Sequence, residues 1–186
     1  MHSRLFLAIC MIPSSLFSPL AVAADSYRGI PLPAQLGGLE RGTIIDNEVR
    51  SRGLGITVAY GSSGVKATVF IYNLGIQDLI EGIENPTVKA HAQQTLKDII
   101  ESHTDVSVLE PLSPGIGSCA GFLRAKLSYV EKGGSTAEPL HSYVYLSSRK
   151  SSFVKARVSY AARIAFATGT LSESRFAEAL CATVLK

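Results

Sequence analysis

The sequence predicts an α+β domain, an antiparallel sheet of about six strands packed with two main helices. Three observations carry that expectation. GITVAY and VKATVFIYN are β-rich runs joined by the turn Gly61-Ser62-Ser63-Gly64, which makes an antiparallel hairpin. From Asn85 to His103, apolar side chains recur at helical spacing behind an Asn-Pro start. The C-terminal half then alternates strand-like runs with turn residues and closes on a second amphipathic helix.

Residues 1–24 read as an export signal. Arg4 gives a positive start, Leu5 to Leu20 an apolar stretch, and Ala21-Val22-Ala23 a small-residue cleavage site. Pro13 and Pro19 interrupt the apolar run, which leaves it well short of the roughly 20 residues that span a bilayer. Cys10 follows Ile9 and sits too early for a lipid-modified cysteine. The expectation is a periplasmic or secreted protein, with residues 25–186 forming a single globular domain and no transmembrane segment after cleavage.

The elements follow in order. Tyr27 to Leu39, with Pro31, Pro33 and Gly37-Gly38, reads as an extended lead-in. Gly42 to Val49 is a marginal β-branched strand, and the hairpin follows over Gly55–Tyr60 and Val65–Asn73. Gly75 to Gly82 has room for a short helical turn around Leu79 and Ile80. The main helix has Asn85 as cap and Pro86 in its first position. Val88, Ala92, Leu96, Ile99, Ile100 and His103 form its apolar stripe. Val106 to Leu109 is a short strand ended by Pro111 and Pro114.

Three long strands complete the sheet: Phe122–Val130, His141–Ser147 and Phe153–Tyr160, the first two separated by Gly133-Gly134. In the last, Val154, Ala156 and Val158 share one face while Lys155 and Arg157 share the other. The final helix is expected to start at Thr170, whose spacing to Glu173 matches a capping box. Phe176, Ala177, Leu180, Cys181 and Val184 make its buried stripe.

Charge is small in total and uneven in place. Removing the leader takes Arg4 and leaves 17 basic against 15 acidic residues, a balance of +2 that argues against a nucleic-acid partner. Residues 76–110 hold seven acids against Lys89 and Lys97, whereas residues 140–172 hold Arg149, Lys150, Lys155, Arg157 and Arg163 and no acid. Two readings follow. Either these are solvated or mutually adjacent faces, or Arg149, Lys150, Lys155 and Arg157 form a basic sheet edge for a protein or an anionic envelope component.

Cys119 and Cys181 remain after cleavage. An even pair in an oxidising space favours a disulfide, closing a loop of about sixty residues. The other reading is two buried thiols acting as small hydrophobes.

The element order resembles the Mog1/PsbP-like α/β/α sandwich. The stretch from GLGITVAY through VFIYNLG, together with HSYVYLSSRKSSFVKARVSY, is similar to uncharacterised exported bacterial proteins. The resemblance covers most of the chain after the leader. It implies binding and accessory roles rather than chemistry.

Motifs for catalysis fail on context. Gly117-Ser118-Cys119-Ala120-Gly121 matches a thiol nucleophile elbow, but an elbow needs a strand before and a helix after, and here strand follows loop. His91 and His103 lie twelve positions apart on a helix and diverge around its axis. No H-x-x-x-H, H-E-x-x-H or paired C-x-x-C spacing exists, and no glycine-rich loop opens a helix. Neither a metal nor a cofactor is expected. The sequence therefore points to a non-enzymatic exported binding or accessory protein. Its alternatives are a thiol hydrolase centred on Cys119 and a secreted effector or inhibitor acting on another protein.

Overall fold

The computed structural model describes residues 26–131, 138–164 and 166–185. The leader and the Gly133-Gly134 turn read from the sequence lie outside the described residues. The elements are β1 (Ser26–Tyr27), β2 (Ile30–Pro31), β3 (Gln35–Leu36), β4 (Leu39–Asp46), β5 (Ile56–Ser62), β6 (Val65–Tyr72), α1 (Pro86–Ser102), β7 (Thr104–Pro114), β8 (Leu123–Val130), β9 (Leu140–Arg149), β10 (Ser152–Ala161) and α2 (Phe166–Val184). A single 3-10 turn, Gly117–Cys119, precedes β8.

Eight strands form one antiparallel sheet in the order β3-β4-β5-β6-β10-β9-β8-β7, and β1 pairs with β2 alone. The sheet is wider than the about six strands expected. Part of the lead-in pairs: Gln35–Leu36 folds back on Leu39–Glu40. The short strand expected at Val106–Leu109 is also longer, since β7 runs for eleven residues with Pro111 and Pro114 inside it. It is an edge strand, so prolines there remove no ladder bond on the open side. Three register shifts against β8 absorb the irregularity.

The two helices lie on opposite faces of the sheet. On one face Val88, Ala92 and Ile99 of α1 pack on Leu123, Leu127, Val144, Leu146 and Phe153. On the other, Phe176, Leu180, Cys181 and Val184 of α2 pack on Val69, Ile71, Tyr143, Tyr145 and Val154. The alternation of β10 is as the sequence predicts. Val154, Ala156 and Val158 belong to the α2 face, which puts Lys155 and Arg157 on the α1 face.

The start of α1 follows the sequence closely. Pro86 opens it and the Asn85 side chain accepts a hydrogen bond from the Thr87 N–H at 2.9 Å. The buried stripe is rotated from the expected one, with Thr95 buried and Ile100 44 % exposed. The segment 75–82 holds no helix; Leu79 is buried and Ile80 is 73 % exposed.

The start of α2 differs more. The helix already runs from Phe166, so Thr170 lies inside it and Glu173 is not its capping partner. Gly169 hides this beginning, because a helix-interior glycine ordinarily costs about 1 kcal/mol. Here it serves packing: a Cβ would stand 2.5 Å from the Tyr160 ring, so only glycine lets α2 approach β10 this closely.

Candidate functional site

The four basic residues singled out by the sequence do not form one surface. Arg149 and Lys150 close the β9–β10 turn. Arg149 is ion-paired with Glu81, the Lys150 backbone N–H donates to the same carboxylate at 2.8 Å, and the Lys150 ammonium donates to the Gly29 carbonyl at 2.6 Å. Both therefore fasten neighbouring segments to the sheet. Lys155 and Arg157 sit instead in the middle of β10, with β6 and β9 on either side, far from a sheet edge. The acidic and basic stretches of the sequence lie side by side, α1 with Asp98 against the sheet strand carrying Lys155.

A cavity of about 240 Å³ opens between α1 and the sheet at Lys155. Phe70, Ile99 and Val144 supply apolar wall, Thr95 and Ser102 hydroxyls, and Asp98, Lys155 and Arg157 charge. The Lys155 ammonium lies 4.5 Å from the centre of the Phe70 ring and 5.5 Å from that of Tyr72. Among the described residues it makes no hydrogen bond and no ion pair. Ring faces attract a cation but satisfy none of its three N–H donors. Burial, with the Arg157 charge second, pulls the Lys155 pKa below its ordinary value, and Asp98 offsets part of that.

Arg157 is held in place by its neighbours. Its Nε donates to Ser142 Oγ at 3.1 Å, Nη2 donates to His103 Nε2 at 3.2 Å, and the guanidinium lies 4.8 Å over the Tyr129 ring. Since His103 Nε2 accepts from Arg157, the ring proton sits on Nδ1, where it meets the Ile99 carbonyl at 2.9 Å. A second histidine borders the region. His91 Nε2 is 2.6 Å from the Tyr72 hydroxyl, and its ring lies 4.4 Å from Phe153. Burial, then the Lys155 charge, hold His91 below its usual range. The two histidines face different neighbours, as their spacing predicts.

A larger cleft of about 580 Å³ lies on the opposite face, between α2 and the β7–β8 connection. Its floor is an internally satisfied network. Arg124 is ion-paired with Glu110 and donates through Nε to the Tyr145 hydroxyl at 3.2 Å, and Tyr145 donates in turn to Glu173. Glu173 is only 3 % exposed, and its burial raises its carboxyl pKa. Each buried group here has a hydrogen-bond partner within the protein, so the network is complete without a ligand.

The rim of that cleft carries Cys119. Cys119 and Cys181 are bridged, with a Cα–Cα distance of 5.3 Å, joining the 3-10 turn to the last turns of α2. A bridged sulfur has no thiolate, and the residues after Cys119 lead into β8 rather than a helix, so no nucleophile elbow forms. A disulfide is compatible with an oxidising compartment. Among the described residues no group of three His, Cys, Asp or Glu side chains is placed to hold a metal, and no helix is long and apolar enough to cross a membrane.

Comparison with known protein families, characterised proteins and solved structures finds no match. The functional reading therefore rests on this chain's own geometry.

The sequence marked Lys155 and Arg157 as candidates but missed what surrounds them. Phe70 falls on the α1 face because it alternates with the buried Val69 and Ile71 along β6. Asp98 precedes the buried Ile99 by one position, at the margin of the apolar stripe. Those spacings place each residue on an element, yet neither says which strand α1 will cover.

Proposed function

We propose that this chain is an exported, non-enzymatic binding protein that takes an anionic ligand at Lys155 and Arg157, in a fold of the Mog1/PsbP-like kind. The observation that carries the reading is the Lys155 ammonium, drawn partly out of water beside a second cation and facing an open cavity, with no ion pair among the described residues. A desolvated, unpaired charge is costly, and such groups persist where they have a task. An arriving anion completes the site. Export is supported by the leader and agrees with the Cys119–Cys181 bridge.

The test is thermal unfolding of the purified protein in increasing sodium acetate and, separately, inorganic phosphate, at constant ionic strength. A saturable rise in Tm is expected, reaching about 2.7 kcal/mol of stabilisation at a hundred times Kd. It should disappear in Lys155→Met and persist when Arg149 and Lys150 are both changed to Gln. No saturable rise with either anion, or a rise that survives Lys155→Met, would sink the reading.

A further inference from the structure

We infer that the occupant of the Lys155 cavity is a small carboxylic acid with a compact apolar body, such as an aromatic or branched acid, rather than a phosphate or a polymer; this rests on the anion reading above.

Size sets the first limit. At about 240 Å³ the cavity lies just below the roughly 300–1,000 Å³ of ordinary ligand pockets, which suits a small molecule. A bare inorganic ion would occupy a fraction of that space and leave Phe70, Ile99 and Val144 facing ordered water. An apolar body fills the same space and removes that surface from water.

Charge sets the second limit. Lys155 and Arg157 bring two positive charges to the cavity and Asp98 brings one negative, a net of one positive. A monoanion neutralises the site. A dianion leaves an excess negative charge beside the exposed Asp98 carboxylate, a like-charge repulsion that water screens only in part. Asp98 makes its only described hydrogen bond to Gln94 Nε2, at 2.7 Å, so no cation in the site cancels it at contact distance.

Geometry supports a carboxylate in particular. Arg157 is oriented before any ligand arrives, by Ser142, His103 and the Tyr129 ring, which leaves Nη1 for a ligand oxygen. Lys155 supplies a rotatable charge for the second oxygen. Preorganised donors reduce the ordering that binding must otherwise impose. The carboxylate then lies on β10, with its apolar body between Phe70 and α1.

Isothermal titration with sodium benzoate, sodium acetate and inorganic phosphate tests this directly. Benzoate should bind at least tenfold more tightly than acetate, and phosphate more weakly than benzoate. Phe70→Ala should erase most of the benzoate advantage while leaving acetate affinity within about threefold. Asp98→Asn, a change at an exposed position of α1 that leaves the buried stripe intact, should raise phosphate affinity by a larger factor than benzoate affinity. Benzoate binding no tighter than acetate, or phosphate binding best in the wild-type protein, would overturn the carboxylic-acid class while leaving the anion reading intact. Absence of binding by all three would remove both.

Discussion

The Lys155 ammonium stands 4.5 Å from the centre of the Phe70 ring in a partly buried cavity and, among the described residues, meets no carboxylate at ion-pairing distance. Arg157, two positions on, has a serine, a histidine and an aromatic ring around it. The adjacent charges of one strand thus differ in kind. Arg157 is fixed by its neighbours, whereas Lys155 has, among the described residues, only ring faces beside its ammonium.

Lys155→Met should separate stability from binding. The native pKa of Lys155 lies below 10.5, so its charged form is disfavoured by folding. That penalty is present at neutral pH and is relieved as pH rises through the native value toward 10.5. Methionine keeps the length of the side chain without the charge. Unfolding in urea at pH 7 should place this variant within about 1 kcal/mol of wild type, or above it, rather than showing the 2–5 kcal/mol loss of a core truncation. Any stability that the variant gains over wild type at pH 7 should shrink toward alkaline pH, as the wild-type ammonium loses its proton. A loss above 2 kcal/mol would mean the ammonium is a structural group.

Glu173 and Tyr145 give a second pH-dependent prediction. Burial raises the Glu173 carboxyl pKa above 4.5, so ionisation of this group opposes folding. Its contribution is most favourable below about pH 4.5 and is lost as pH rises through the native value. Glu173→Gln should therefore be neutral or stabilising at pH 7, with the difference from wild type shrinking as pH falls below 4.5. Tyr145→Phe removes the hydroxyl that donates to this carboxylate and should destabilise by about 1–3 kcal/mol at pH 7. Chemical denaturation across pH 4 to 8 reads both.

The bridge closes a loop with a sequence separation of 62. On the chain-entropy model its reduction should lower stability by about 4 kcal/mol. The double variant Cys119→Ala, Cys181→Ala should behave like the reduced protein. Hydrogen exchange should locate the largest local effect at residues 117–123 and the last turns of α2. A free-thiol assay on denatured, unreduced protein should find none in residues 25–186.

The β9–β10 turn offers a stabilising change. Lys150 and Ser151 both adopt positive φ, 47° and 53°, without being glycine. Such a pair matches the twist of the flanking strands but strains any residue with a Cβ. Ser151→Gly should stabilise by about 1 kcal/mol, measured as a rise in the urea midpoint without change in slope. Ligand binding at Lys155 should be unaffected.

The strands and the first helix were legible because their signals are local. The β5–β6 hairpin, the Asn85 cap and the alternation of β10 each follow from residues within a few positions of one another. Signals failed where a distant partner overruled them. Gly169 reads as a break until Tyr160 is seen against it, and Pro111 reads as a strand end until β7 proves to be an edge.

By itself the sequence determined the α+β class and the face of β10 on which Lys155 and Arg157 stand, and it left the two cysteines open between a bridge and two buried thiols. Only the tertiary structure decided what those charges meet. Arg149 and Lys150 find Glu81 and a backbone carbonyl, and Lys155 finds two rings and an open cavity. The physical reason is range. Periodicity fixes the direction of a side chain within its own strand, whereas its counter-ion comes from an element that the sheet order and the path of α1 bring across from elsewhere in the chain.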